Sequence, residues 1–341
     1  MEKLENRLRQ GMSLAAKLLR AEKGLPLNIQ MPTLGGKQFW LDEFVFAGWR
    51  IQSNLYSGHC RLLNPDDERL AWGSYENCEQ AFGAIRKEQK ILQPHLSGTG
   101  EKHLIVMVHG ITRSGDTFDH MRKPFEALGY EVAAITYPST RAFIVEHAQQ
   151  LARLLGRRPD IERVSFVTHS MGGLVVRYLL ARAKEWGLDL KLGRVVMIAP
   201  PNQGSAIAQW MRDHSYYRLI YGKSGQELVP QVVSQIPIPD CDVAVIAGGL
   251  SDGKGYNPLL PGDDDGIVSV EEARLTNCVD FIVMPGLHSI ICRQQAIISA
   301  TFNYIRQGQF EQGQLEPGQF ESTPEYSGQL PGYRDESDRL R

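Results

Sequence analysis

The chain has 341 residues, 42% hydrophobic and 22% charged, with a formal net charge of −2 at pH 7. This is the composition of an ordinary globular protein, and it lacks the basic excess that would point to a nucleic-acid partner. It also lacks the run of about 18 apolar residues from which a membrane-spanning helix is built.

At the start of the chain, Leu4, Leu8, Met12, Ala15, Leu18 and Leu19 recur at helical spacing between basic residues, which predicts an amphipathic helix over residues 1–24. Lys17 and Arg20 interrupt the apolar stretch, so the segment reads against a secretory signal. It is expected to pack on its own domain or on another chain, with peripheral contact to a membrane surface as the alternative. The five cysteines are odd in number and scattered, with neither zinc-like spacing nor a disulfide framework. A cytoplasmic location with reduced thiols is expected, and composition leaves the oligomeric state open.

Next come β-rich segments. FVFAGWRIQ (44–52) and residues 59–63 are predicted as strands, followed by a helix over 75–91. From residue 103 the pattern becomes a regular alternation. Strands are predicted at 103–109, 130–137, 163–169, 193–199, 242–248 and 280–286, with helices over 117–128, 142–156, 171–186 and 289–306. Short apolar strands alternating with helices indicate an α/β fold, a mostly parallel sheet covered on both faces, with the N-terminal antiparallel hairpin at one edge. Residues 34–307 are expected to form this domain, with a candidate cap at 202–236. The tail, 308–341, carries the repeat GQFEQ-GQLEP-GQFES and too few aliphatics to offset its ordering entropy, so disorder is expected there.

The most informative stretch is VSFVTHSMGGLVVRYLL, residues 164–180. An apolar strand runs through small residues directly into an apolar helix, the arrangement that lifts a serine hydroxyl above a sheet. Ser170 is therefore the candidate nucleophile, although Thr168 stands where the usual G-x-S-x-G pattern has its first glycine. A literal G-x-S-x-G occurs at 249–253, but GKGYNPLLPG follows it. Those glycines and prolines forbid the helix that an elbow needs, so Ser251 reads as a loop serine.

A nucleophile of this kind takes one oxyanion donor from the residue after it and another from the loop after an earlier strand. Here those are the amides of Met171 and Ile111, the latter following the strand end Val108-His109-Gly110. Two histidines come after Ser170. His288 follows the last strand and is preferred as the base over His214, which sits in the polar segment MRDHSYY. For the acid, Asp265 before Gly266-Ile267-Val268 is the first choice among the carboxylates of PGDDDG, and Asp252 is the second. In the segment 202–236, Trp210 and Tyr217 are candidate substrate-binding residues.

Together HGI, THSMGG, IAPPNQGS, DGIVSVEE and GLHSII resemble the α/β-hydrolase superfamily over about residues 100–307, within it bacterial lipases and esterases and the related inositol-deacylase-like and thioesterase-like hydrolases. The resemblance implies a D-G-x-V acid, which favours Asp265. It also implies carboxylic ester or lipid substrates and no cofactor or metal. Thioesterase or acyltransferase chemistry with the same residues is the alternative, and a non-catalytic binding or scaffold protein is the alternative of another class.

Overall fold

The computed structural model describes residues 31–32 and 37–310. The helix predicted over 1–24, and the repeat segment from residue 311 onward, lie outside the described residues.

Six consecutive parallel strands carry the fold: β6 (His103–Val108), β7 (Glu131–Ile135), β8 (Arg163–His169), β9 (Leu192–Ile198), β10 (Val243–Gly248) and β11 (Asp280–Met284), in spatial order β11-β10-β9-β8-β6-β7. They are apolar on both faces because both faces are covered. Leu104, Val106 and Val108 point to one side, against α3 (Ile144–Gly156) and α4 (Met171–Arg182). Ile105 and Met107 point to the other, against α2 (Asp119–Ala127) and α9 (Gln295–Gln307). The alternation follows from the two-residue period of a strand. All six strands coincide with predicted ones to within a few residues. The helix expected over 289–306 is divided, however, with a short 3-10 turn at Ile291–Arg293 preceding α9. Gly308 ends α9 in a left-handed conformation, and Phe310 packs on Tyr304, so ordered packing runs past the expected tail boundary to residue 310.

The N-terminal segment is larger than the expected hairpin. Strands β1 (Met31–Pro32), β2 (Trp40–Phe46), β3 (Trp49–Asn54), β4 (Cys60–Leu63) and β5 (Glu68–Gly73) form their own antiparallel sheet, ordered β1-β5-β4-β3-β2. The strand predicted through 44–52 is in fact the β2–β3 hairpin. Its turn falls at Ala47 and Gly48, with φ of 48° and 82°, the left-handed pair that a tight two-residue hairpin requires. Helix α1 (Tyr75–Glu88) covers this sheet, its Phe82 ring meeting Phe44, Phe46 and Trp49.

The antiparallel sheet meets the parallel one beside β7 and does not extend its ladder. Asp42 N donates to Thr136 O at 2.9 Å and Thr136 N to Asp42 Oδ2 at 2.5 Å, and the β2–β3 register shifts between Asp42 and Phe44. Arg158 completes the junction. Its guanidinium holds Glu131 with two bonds of 2.7 and 2.8 Å and donates to Val45 O, while Ala47 N donates to Glu131 Oε1. Both side chains are almost fully buried. Arg158 also holds Asp160 at 2.8 Å, so it is loss of the arginine that would strand a buried charge, that of Glu131.

Candidate active site

Strand β8 ends at His169 and helix α4 begins at Met171, leaving Ser170 alone in the turn with φ 53° and ψ −128°. A non-glycine residue in that region costs on the order of 1–3 kcal/mol and persists only where its surroundings enforce it. Here the enforcement is visible. Ser170 N donates to Ile198 O of β9 at 2.9 Å and Gly173 N to Ser170 O at 3.0 Å. A Cβ on Gly172 would lie 2.1 Å from Val108 O, and one on Gly110 would lie 2.8 Å from Ser170 Cβ. Thr168 is accommodated at the first position of the pattern, fully buried in β8.

His288 lies in the loop after β11. Its Nε2 is 3.0 Å from Ser170 Oγ and its Nδ1 is 2.6 Å from Asp265 Oδ2. Asp265 sits beyond the end of β10, against Gly248, where an added Cβ would approach it to 2.6 Å. Its other oxygen accepts from the amides of Ile267 at 3.0 Å and Val268 at 2.8 Å, and its backbone carbonyl accepts from His288 N at 2.9 Å. Serine, imidazole and buried carboxylate thus form one continuous hydrogen-bonded chain. Because the carboxylate only accepts, Nδ1 carries the proton and Nε2 is left bare toward the hydroxyl.

The competing candidates lie elsewhere. Asp252 is in an exposed loop, where the amides of Lys254 and Gly255 hold its carboxyl below the usual range. Ser251 is in the same loop, its amide bound to Asp263 Oδ2 at 2.7 Å, with no helix following. His214 precedes helix α6 (Ser215–Glu227) and does not line the cavity over Ser170. Asp263 and Asp264 are turned onto amides of their own loop. Among the described residues no group of three or more His, Cys, Asp or Glu is placed to hold a metal ion.

Ile111 and Met171 flank the serine. Among the described residues neither amide donates a hydrogen bond within the protein. The loop that carries Ile111 is propped from below: His109 stacks on Tyr137 at 4.2 Å, its Nδ1 bonds Gly110 O at 2.8 Å, and Tyr137 Oη donates to His109 O. Burial pushes the His109 imidazole down to about 4, so it serves as a neutral prop.

A cavity of about 380 Å³ opens over Ser170. Part of its wall comes from the segment 202–236, in which α5 (Ala206–Met211), α6 and α7 (Pro230–Val233) follow one another. Tyr217 lines the cavity, with Tyr221 one helical turn on and Ile207, Ala208 and Leu228 among the other apolar side chains. Trp210 does not join them. It is half exposed on the outer side of α5.

Sequence reasoning did not single out His169. It is buried beside the serine, its Nε2 donates to His288 O at 3.0 Å, and its ring lies 4.8 Å from that of His288. Burial, reinforced by the neighbouring imidazole, holds it well below its ordinary value. Its position directly before Ser170 was the available signal.

The strand order, with Ser170 after β8, Asp265 beyond β10 and His288 beyond β11, is that of an α/β-hydrolase fold. A family model described as a domain of unknown function, DUF7379, matches residues 76–235. No curated protein matches the chain. Among solved structures, the chain is similar to the mature lipase BlEst2 of Bacillus licheniformis, with 20% identity and a TM-score of 0.48 over 62% of this chain and 93% of that one. It is also similar to the metagenomic carboxyl esterase MGS0156, with 18% identity and a TM-score of 0.45 over 57% and 66%. A third similarity is to the phospholipase PlaB of Legionella pneumophila, with 21% identity and a TM-score of 0.41 over 50% and 45%.

Proposed function

We propose that this chain is a serine hydrolase of carboxylic esters. The observation that carries the reading is the Ser170–His288–Asp265 chain, with links of 3.0 and 2.6 Å, at the base of an apolar cavity. His288 Nε2 takes the hydroxyl proton as Ser170 Oγ attacks the ester carbonyl, and Asp265 holds the tautomer and steadies the imidazolium. The amides of Ile111 and Met171 receive the oxyanion. Collapse expels the alcohol, which His288 protonates, and water then releases the acid from the acyl-enzyme by the same steps. Tyr217, Tyr221, Ile207 and Leu228 offer the acyl chain an apolar wall.

The test is a fluorophosphonate probe with p-nitrophenyl esters of short and long acyl chains, beside thioesters, applied to the wild type, Ser170→Ala and Ser251→Ala. Labelling and turnover should vanish in Ser170→Ala and persist in Ser251→Ala. A wild type that neither labels nor turns over any ester would return the chain to a binding role.

A further inference from the structure

A second cavity, of about 290 Å³, opens on the far side of His288, lined among others by Gln38, Arg113, Ser114, Asp116, Ser289 and Arg293. The two cavities meet at the imidazole, for His288, His169 and Arg113 line both. Their chemistry differs. The chamber over Ser170 is walled beyond the shared residues by Ile207, Tyr217, Tyr221 and Leu228, whereas this one adds Arg293 to the shared Arg113. Both arginines are exposed, and among the described residues neither has an ion-pair partner. Asp116 is the one carboxylate in the lining, so the charge facing the space is positive. The charge of Arg113 reaches inward to His169 and Cys292.

Acyl transfer assigns the two spaces. The proton that His288 removes from Ser170 must pass from the same Nε2 to the leaving oxygen, so the alcohol half of the ester lies on the imidazole side. The acyl half is then left with the chamber that contains Ser170, Ile111 and Tyr217. We infer that the preferred substrates are esters whose alcohol half carries an anion, a phosphate or a carboxylate, bound by Arg113 and Arg293 across the second cavity. This rests on the serine-hydrolase reading and names the substrate class for it. The ester C–O bond breaks, water supplies hydroxyl to the acyl carbon and a proton to the alcohol, and the anion leaves unchanged on the alcohol. Arginine suits the task because its planar fork matches phosphate and carboxylate oxygens in pairs.

The experiment compares kcat/KM for three butyryl esters at low salt: neutral butyrylglycerol, butyrylglycerol phosphate and butyryl glycolate. The wild type should favour at least one anionic ester by about tenfold or more, and the ratio should fall as salt is raised. Arg113→Gln and Arg293→Gln should each reduce that anionic-to-neutral ratio by roughly tenfold, the worth of a charge-assisted hydrogen bond. Fluorophosphonate labelling of Ser170 in each variant shows that the site is intact. An oleoyl form of the glycerol phosphate, presented in vesicles, distinguishes a lipid headgroup from a soluble anion as the source. Hydrolysis of neutral butyrylglycerol as fast as the charged esters, or a ratio that survives both substitutions, overturns the inference and leaves the hydrolase standing. Absence of turnover on every ester removes both.

Discussion

Replacing Asp265 by asparagine separates tautomer control from folding. Asp265 Oδ1 accepts from Ile267 and Val268 amides at 3.0 and 2.8 Å, and the asparagine carbonyl can keep both bonds. That turns its NH₂ toward His288 Nδ1, where 2.6 Å now separates the pair. Two donors cannot share that distance, so the imidazole must move its proton to Nε2. The atom that should accept from Ser170 at 3.0 Å then faces it as a donor. The expected loss is about ten-thousandfold in kcat, equivalent to about 5 kcal/mol of barrier. Ester turnover and fluorophosphonate labelling of Asp265→Asn, Asp252→Asn and the wild type measure it, with a thermal melt to show that folding is kept. Asp265→Asn within tenfold of wild type, or an equal loss in Asp252→Asn, would refute the reasoning.

Gly172→Ala should destabilise the fold by about 3 kcal/mol, since its Cβ meets Val108 O at 2.1 Å. Gly83→Ala, on the open face of α1, should add about 0.5–1 kcal/mol, and urea midpoints compare the two. Arg158→Ala strands Glu131 in a buried site and should cost about 3–5 kcal/mol, read as a lower melting temperature. Burial pushes His103 and His109 down to about 4 and His147 to about 3. The unfolded chain therefore binds protons that the folded one refuses. Stability should fall as pH drops from about 6.5 toward 4, by about 1.4 kcal/mol per pH unit for each of these histidines. An unfolding midpoint that stays flat from pH 7 to 5 would contradict this. Tyr217→Ala should enlarge the chamber over Ser170 and move the preferred acyl chain to greater length, and an unchanged chain-length profile would speak against that wall.

The parallel sheet and the elbow were legible because they rest on local patterns. Short apolar runs betray β6 to β11, those of β6 and β10 buried along their whole length, and the sterics around Ser170 demand small residues that appear as a motif. The choice of acid was less legible. Asp252 and Asp265 are each followed by glycine and each accepts from the amides two and three residues on, so what separates them is the burial of Asp265 against Gly248 and its contact with His288, neither of which shows in a local pattern. The turn at Ala47-Gly48 escaped notice because alanine carries no turn signal, although it adopts a positive φ there. Residue type alone groups Trp210 with Tyr217 and says nothing of direction. Helix α6 bends at Gly222, with φ 56° and ψ −145°, so no single periodicity could report which of its residues face inward.

The contact of β2 with the end of β7 also determines what that side of the parallel sheet offers to other molecules. A bare outermost strand is a template on which further strands can be laid, the usual start of aggregation. Here the Asp42–Thr136 pair occupies a rung at the end of β7, and the Arg158–Glu131 clamp pins the covering sheet over the rest. The N-terminal sheet thus acts as a guard for the strand beneath it. A chain trimmed back to residue 103 would keep Ser170, His288 and Asp265 but present β7 unshielded, and its failure would take the form of insolubility before any loss of chemistry.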